Sequence, residues 1–575
     1  MVTLDDLAVI QHFRWRQRLA AGTVAKRVGR RRRWVVTALV GVAWGWADLA
    51  GAPVADAEEL YNDGDVTIRW DNTIRYSAAF RLAGRDPNLL ANPNGDDGDR
   101  NFAPGLISNR IDLLSQLEVA QDGFGFNASA AGWYDTVYNQ RNDNNSPATF
   151  NPDSVLHNQF TRATRDLEGQ AGKLGAAVDD GFVYGSTELA SLPFTFRLGR
   201  QTLLWGESLF FADNGIAAGQ SPIDDAKGLI QPGSYTRDSF LPIAQVSASL
   251  QLRDNMSIEA YYQLEWRPTR LPGSGSYFST DDYIGAGGER YIVGPGQYLY
   301  HGFDRPAPAS GQYGFALRFS AGDVDYGLYA LRFNAKDPEV YYRPDAAEYE
   351  YDREYSVPSR TYVPDGKVGT YYSVYPRGIE LYGASASITL GDSTIAAEIS
   401  GRRNAPLPSA PLYVRSGSAA GTGRNPLYPI GDTLNADLSS VTNFARNRAW
   451  DSAALSVDVA ANLRLDISRN AYNLEPDAKR LAGAFRVSFE PTYFEVLPHL
   501  DLTFRVGAGY DFIGDLSPDP YRSESEGAGQ LDFGVTATYR VVWSGGISVT
   551  HFLGSATNQP LADRDFLSLS VQRTF

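Results

Sequence analysis

Val66-Thr67-Ile68-Arg69-Trp70-Asp71-Asn72-Thr73-Ile74-Arg75-Tyr76-Ser77-Ala78-Ala79-Phe80-Arg81-Leu82 reads with a period of two. The even positions carry Val66, Ile68, Trp70, Ile74, Tyr76, Phe80 and Leu82, and the odd positions carry Arg69, Asp71, Thr73, Arg75, Ser77 and Arg81. Side chains alternate across a strand, so this stretch predicts a strand with one apolar and one polar face. Soluble strands average about five or six residues. A run this long suits a transmembrane barrel, where about 9–11 tilted residues cross the bilayer.

The pattern recurs around short turns. Ile111 to Val119 and Phe124 to Tyr138 flank Gln121-Asp122-Gly123, Ala244 to Leu252 and Met256 to Trp266 flank Arg253-Asp254-Asn255, and Tyr313 to Phe319 and Val324 to Arg332 flank Ala321-Gly322-Asp323. Tyr382 to Leu390 and Ser393 to Arg402 flank Gly391-Asp392. These compact sequences are of the hairpin kind. Between the hairpins the connections are long, about 83–106, 139–178, 201–241, 267–311, 334–376 and 403–449. Alternation of short and long connections is the signature of an outer-membrane barrel with short periplasmic turns and long external loops. Adding Phe182 to Ala190, Phe194 to Arg200, Trp450 to Ala460, Leu463 to Asn470, Leu481 to Glu490, His499 to Phe512, Gln530 to Val541, Ile547 to Leu553 and Asp563 to Phe575 predicts an all-β, antiparallel transmembrane barrel of about 18 strands. Losing the two weakest, Leu463 to Asn470 and Ile547 to Leu553, leaves 16.

Composition narrows the function. Of 575 residues none is Cys and five are His, never two within a helical turn, so thiol chemistry and short His-ligand motifs are excluded and neither a metal nor another cofactor is expected. The formal charge is −15. Residues 1–57 carry +5, leaving −20 on the rest, which disfavours nucleic acid as a partner. Arg30 to Arg33 precede an uncharged run from Trp34 to Ala47 and then Ala55-Asp56-Ala57, the order of a cleaved secretory signal. Residues 1–57 are therefore expected to be a leader and 58–575 the barrel, in the cell outer membrane. At the other end, Leu569, Val571 and Phe575 share a face interrupted by Arg573, resembling the signal read by the machinery that assembles outer-membrane barrels.

In a closed barrel the polar face lines the interior. The inward set then includes Arg69, Asp71, Arg75 and Arg81 on the first strand, Ser257, Glu259, Tyr261, Gln263 and Glu265 on a later one, and Arg197 beside Glu188. The 201–241 connection is too apolar for a loop in water, holding Trp205, Phe210, Phe211, Ile216 and Leu229. It is expected to fold inward as a constriction or plug, with Arg200, Trp205, Glu207, Phe210, Phe211, Glu259, Tyr261 and Glu265 near the narrowing; a cap packed on external loops is the alternative. Residues 338–376, rich in Tyr and acids, read as a well-packed external loop slightly ahead of a ligand-capturing surface. No Ser–His pair shares a strand face, so a non-enzymatic protein is expected.

Several motifs carry a resemblance. Leu198-Gly199-Arg200-Gln201, Trp205-Gly206-Glu207-Ser208, Tyr262-Gln263-Leu264-Glu265-Trp266 followed by Pro268, and Gly275-Ser276-Tyr277-Phe278-Ser279 resemble the proteobacterial outer-membrane family labelled domain of unknown function 1302, as do Trp543-Ser544 and Thr550-His551-Phe552. The resemblance implies a signal-bearing β-barrel whose genes stand beside a periplasmic carrier of lipoprotein-sorting-like fold and an RND-type permease. It further implies transport of hydrophobic compounds of sterol, terpenoid, alkane or aromatic type. A structural anchor, or export of lipid or product through the same partners, is the competing reading.

Overall fold

The computed structural model describes residues 58–146, 148–151, 155–156, 158–160, 175–225, 239–344, 366–415, 425–515 and 525–575. The expected leader and the expected cleavage site at Ala55 and Ala57 lie outside them. Eighteen strands form the barrel wall: β1 Val66–Arg81, β2 Gly105–Gln121, β3 Phe124–Asp135, β4 Gly175–Leu189, β5 Leu192–Gln201, β6 Ile243–Arg253, β7 Met256–Gln263, β8 Tyr313–Ala321 and β9 Val324–Phe333. The series continues with β10 Ile379–Leu390, β11 Ser393–Pro406, β12 Ile430–Phe444, β13 Ser452–Arg469, β14 Leu481–Leu497, β15 Leu500–Ile513, β16 Gly529–Tyr539, β17 Trp543–Leu553 and β18 Phe566–Thr574. Each pairs antiparallel with its sequence neighbour, and β18 returns to β1 in register from Thr73↔Thr574 to Arg81↔Phe566. The ring is closed, so no wall strand leaves an unpaired backbone edge toward lipid.

Residue alternation gives the wall two surfaces. Trp70, Ile74, Leu113, Leu198, Leu328, Ile399, Leu438, Val506 and Phe533 are all exposed on the outer surface, while their strand neighbours Ser400, Asp437, Asp458 and Asp532 are buried within. An apolar outside around a polar inside is the inverse of a water-soluble protein and marks a transmembrane barrel. The short connections are tight. Asp122 and Gly123 both have positive φ, 49° and 80°, as a two-residue hairpin turn of the primed type requires. Eight short turns alternate with nine long connections.

Two strand expectations are corrected, and their errors compensate in the count. Trp450 to Ala460 and Leu463 to Asn470 are one strand, β13, with Ala461 and Asn462 paired in mid-ladder to Ala436 and Asn435. Their partner β12 lies inside the stretch expected to be a long loop, 403–449. Its outward positions interleave Leu434 and Leu438 with the small Ala436 and Ser440, and its inward ones, Thr433, Asn435, Asp437 and Ser439, are polar yet buried. The hydrophobic alternation that reveals other strands is therefore diluted there. Strand ends also differ: β2, β4 and β14 are longer than expected, β3 stops at Asp135 and Tyr138 turns into a buried loop cluster, and β7 stops at Gln263.

On the long-loop side, Arg290–Gly294, Gln297–His301, Lys367–Val374, Glu339–Pro344 and Leu412–Tyr413 form a separate five-stranded sheet. Tyr283, Tyr342 and Tyr371 pack together on one face of it, and Tyr341 and Tyr372, their strand neighbours, are buried in a separate cluster on the other. The described tyrosines of 338–376 are thus packing residues; Tyr349, Glu350, Tyr351, Glu354, Tyr355 and Tyr362 lie outside the described residues. The Gly275 to Ser279 motif anchors a second cluster. Tyr277 and Phe278 pack with Phe102, Phe552 and Phe566, and the buried Arg564 guanidinium donates to the Tyr277 and Ser279 carbonyls.

Candidate functional site

The segment following β5 turns into the barrel. Trp205, 2% exposed, stacks edge-on against Tyr261 of β7 with centroids 5.0 Å apart and lies 5.9 Å from Tyr329 of β9. Ile216 is fully buried in the same cluster with Leu331, Phe333 and Leu381. Further on, Phe210 and Phe211 press onto Ala460 and Ala484, and the Arg486 guanidinium lies 5.8 Å from the Phe211 ring. Alanine at those wall positions leaves room for the two rings. The aromatic residues of this segment are buried because the barrel wall supplies the apolar surface that water would not.

Polar anchors fix the segment at mid-height. Glu398, near the middle of β11, accepts the N–H groups of Glu207 and Ile216. Asp458 of β13 accepts the Ser208 hydroxyl and the Leu209 and Phe210 N–H groups through one oxygen. The Asn214 amide donates to Asp437 of β12 at 3.2 Å. Arg402 donates to the carbonyls of Asp213, Asn214 and Gly215. A loop inside a protein must satisfy its backbone groups, and here the wall carboxylates and one guanidinium do so. The glycines permit the approach: a Cβ at Gly206 or Gly215 would collide with the Glu398 carboxylate.

Beside Trp205 the lumen wall is charged. Arg318 of β8 pairs with Glu259 of β7 at 3.1 Å and lies over the Tyr329 ring at 5.7 Å. The Tyr329 hydroxyl is 3.1 Å from the Ser385 hydroxyl. Glu207 enters this group from the loop; burial raises its carboxyl above the ordinary value and Arg318 opposes the shift. Trp205, Glu207, Glu259 and Tyr261 therefore lie together beside β7 to β9, while Phe210 and Phe211 sit apart from them against β13 and β14.

Arg200 and Glu265 are elsewhere. Arg200 alternates with the buried Gln201 and pairs in register with Gly181 and Ala244, which puts its side chain on the outward side of the wall. Glu265 lies beyond the end of β7, where both Leu264 and Glu265 N–H groups reach the Ala244 carbonyl, and this irregularity brings it to Arg200 at 2.8 Å. Their expected place at the constriction is thus corrected. Arg197 does point inward, but it pairs across from Tyr184 and stacks on Phe182 at 5.7 Å, while Glu188 sits opposite Pro193 nearer the turn. The hairpin turn at Ala190 and Ser191 sets that register.

Glu398, Asp437, Asp458 and Arg402 were not singled out from the sequence. Alternation marks them as inward, but nothing local tells an anchoring carboxylate from a solvated one. Among the described residues a different acidic group, Asp96, Asp97 and Asp282, brings three carboxylate oxygens within 4.8 Å of one another in the external loops. An all-oxygen set is the type that holds hard divalent cations. These carboxylates already tie loops together: Asp282 accepts the Asp96 and Asp97 N–H groups, and Asp97 accepts Asn144 and the Asn151 N–H. His301 is likewise engaged, contacting Asp304 and stacked on Tyr371.

The family described as Protein of unknown function (DUF1302) matches residues 33–575. The chain belongs to this family. No curated protein is similar to it in sequence. Solved structures similar to this DUF1302 chain include Acinetobacter baumannii OccAB4, at 9% identity and TM-score 0.42 over 90% of this chain and 100% of that one. The outer membrane channel DcaP of Acinetobacter baumannii is similar at 9% identity and TM-score 0.36, over 89% and 99% of the two chains. A BenF-like porin from Pseudomonas fluorescens Pf-5 is similar at 9% identity and TM-score 0.38, over 88% and 98%.

Proposed function

We propose that this DUF1302 barrel is a non-enzymatic outer-membrane channel, narrowed by the segment after β5, that passes hydrophobic or amphipathic small molecules. The observation that carries the reading is the anchoring of that segment on Glu398 and Asp458, partway along two inner-wall strands that stand two places apart in the ring. A loop held there by several backbone hydrogen bonds reduces the lumen without closing the wall. The partly exposed Glu259 and Arg318 border the buried Trp205–Tyr261 cluster, and charge at the edge of an aromatic cluster supports a ligand with an apolar body and polar ends. In this reading the leader is removed near Glu58, the terminal strand guides assembly, and a periplasmic carrier with an RND-type permease handles the cargo.

The test is single-channel recording of residues 58–575 in planar bilayers, with and without residues 202–241. The expected result is small conductance for the full barrel and large steps after deletion. If neither form conducts although both are folded barrels, the reading fails and an anchoring role replaces it.

A further inference from the structure

On the external side of the inward segment lies a cleft whose open space, out to solvent, totals about 1010 Å³. On one side, toward the upper ends of β9, β10 and β11, it is lined by the largely buried Phe333, Ile379 and Leu407, with Lys336, Asp337 and Arg402 among them. The other side is cationic, with Arg464 of β13 and Arg480 just before β14. β11 and β13 are two strand spacings apart, about 10 Å.

The two arginines are satisfied in hydrogen bonding but not in charge. Arg464 donates to the Ala478 carbonyl, and Arg480 donates to the carbonyls of Arg464 and Leu465. Among the described residues neither makes an ion pair. Lys479, between them in sequence, is paired with Glu526, and Asp515 on the same rim accepts the Glu526 N–H. Two guanidinium groups side by side on carbonyl oxygens repel each other in a chain of net charge −15, where carboxylates are plentiful. A bound anion would relieve that repulsion and take charge-assisted hydrogen bonds from the remaining N–H groups.

We infer that this cleft is a capture site for an amphipathic carboxylate, with its carboxylate on Arg464 and Arg480 and its hydrocarbon body along Phe333, Ile379 and Leu407. The inference rests on the channel reading and narrows its cargo to molecules with one anionic end and an apolar body that reaches at least the spacing of about 10 Å between the strands of Leu407 and Arg464, with Ile379 and Phe333 one and two strands further. Planar guanidinium donors favour a carboxylate over a hydroxyl, which offers neither charge nor a second acceptor oxygen.

Isothermal titration of the full barrel in nanodiscs, with empty nanodiscs as the blank, compares octanoate with octanol. Octanoate is expected to bind about tenfold more tightly than octanol, the equivalent of one charge-assisted hydrogen bond. R464Q/R480Q is expected to abolish the preference, and R464K/R480K, which keeps the charge, to restore part of it. R480Q alone, at an exposed position outside the strands, is expected to lower the preference in a barrel of unchanged fold. Equal binding of both probes to the unaltered barrel, or an unchanged preference in R464Q/R480Q, overturns the inference. The channel reading is judged separately by conductance, so a barrel that conducts without preferring octanoate refutes the capture site alone.

Discussion

Glu398 accepts the Ile216 N–H at 2.9 Å across 182 positions of sequence, and the same carboxylate accepts the Glu207 N–H. One side chain of β11 thus holds both arms of the inward segment. Removing it orphans two backbone donors, each costing about 1–3 kcal/mol when buried. Glu398→Ala is expected to give larger, noisier current steps, whereas Glu398→Gln, which keeps an acceptor oxygen, stays nearer the parent. Identical traces for both in planar bilayers would refute this role.

Asp458 makes a parallel prediction for the turn just after Glu207. Its Oδ2 serves Ser208, Leu209 and Phe210 together. Asp458→Ala should therefore expose the 206–215 stretch to protease or to hydrogen exchange, with β13 itself still protected. Exchange that rises equally in β13 would show a wall defect instead.

Trp205 fills the space between Tyr261 and Tyr329. Trp205→Ala removes a buried ring, a change of about 3–5 kcal/mol in ordinary cores. It is expected to raise conductance and to weaken discrimination among hydrophobic solutes in an uptake assay. An assembled barrel with unchanged flux would remove Trp205 from the constriction.

Arg200→Ala and Glu265→Ala are expected to leave conductance unchanged, because their ion pair stands on the outward side at the strand ends. Being partly exposed, the pair contributes at most about 1 kcal/mol. A clear change in single-channel current for either variant would return them to the lumen.

The external cap should loosen as pH rises. Burial raises the Asp97 carboxyl to about 7, with nearby Asp96 adding to the shift and the Asn151 N–H and Asn144 opposing it. A carboxyl raised on folding stabilises the folded cap when protonated; that contribution is complete below the ordinary value of about 4 and is lost as pH climbs through about 7. Hydrogen exchange in the loop around Asp97 and Asp282, divided by the intrinsic exchange rate at each pH, is expected to be slower at pH 5 than at pH 8, and Asp97→Asn should reduce the difference. The opposite order of rates would contradict it.

Much of the wall was legible because a strand's two faces are written into alternate residues. Val66 to Leu82 shows this over its whole length, and Asp122-Gly123 announces its turn by the φ values it tolerates. β12 escaped because its inward side chains are polar yet covered by another segment of the chain rather than by water, and its outward leucines, Leu434 and Leu438, alternate with the small Ala436 and Ser440. Arg200 was misplaced for a related reason: the last residues of a strand keep its parity, while the loop motif that follows makes them look like part of the site.

The sequence by itself determined a closed, two-faced β wall of about 18 strands and an apolar segment after β5 that water would not tolerate. Only the tertiary structure decided that Glu398, Asp437, Asp458 and Arg402 receive that segment, and that Arg464 and Arg480 face Phe333 and Leu407 across a cleft. The division has a physical cause. Alternation and turn propensity act between neighbours in sequence, whereas these contacts join residues up to about 250 positions apart and exist only once strand register and ring closure have fixed which side chains share a height in the lumen.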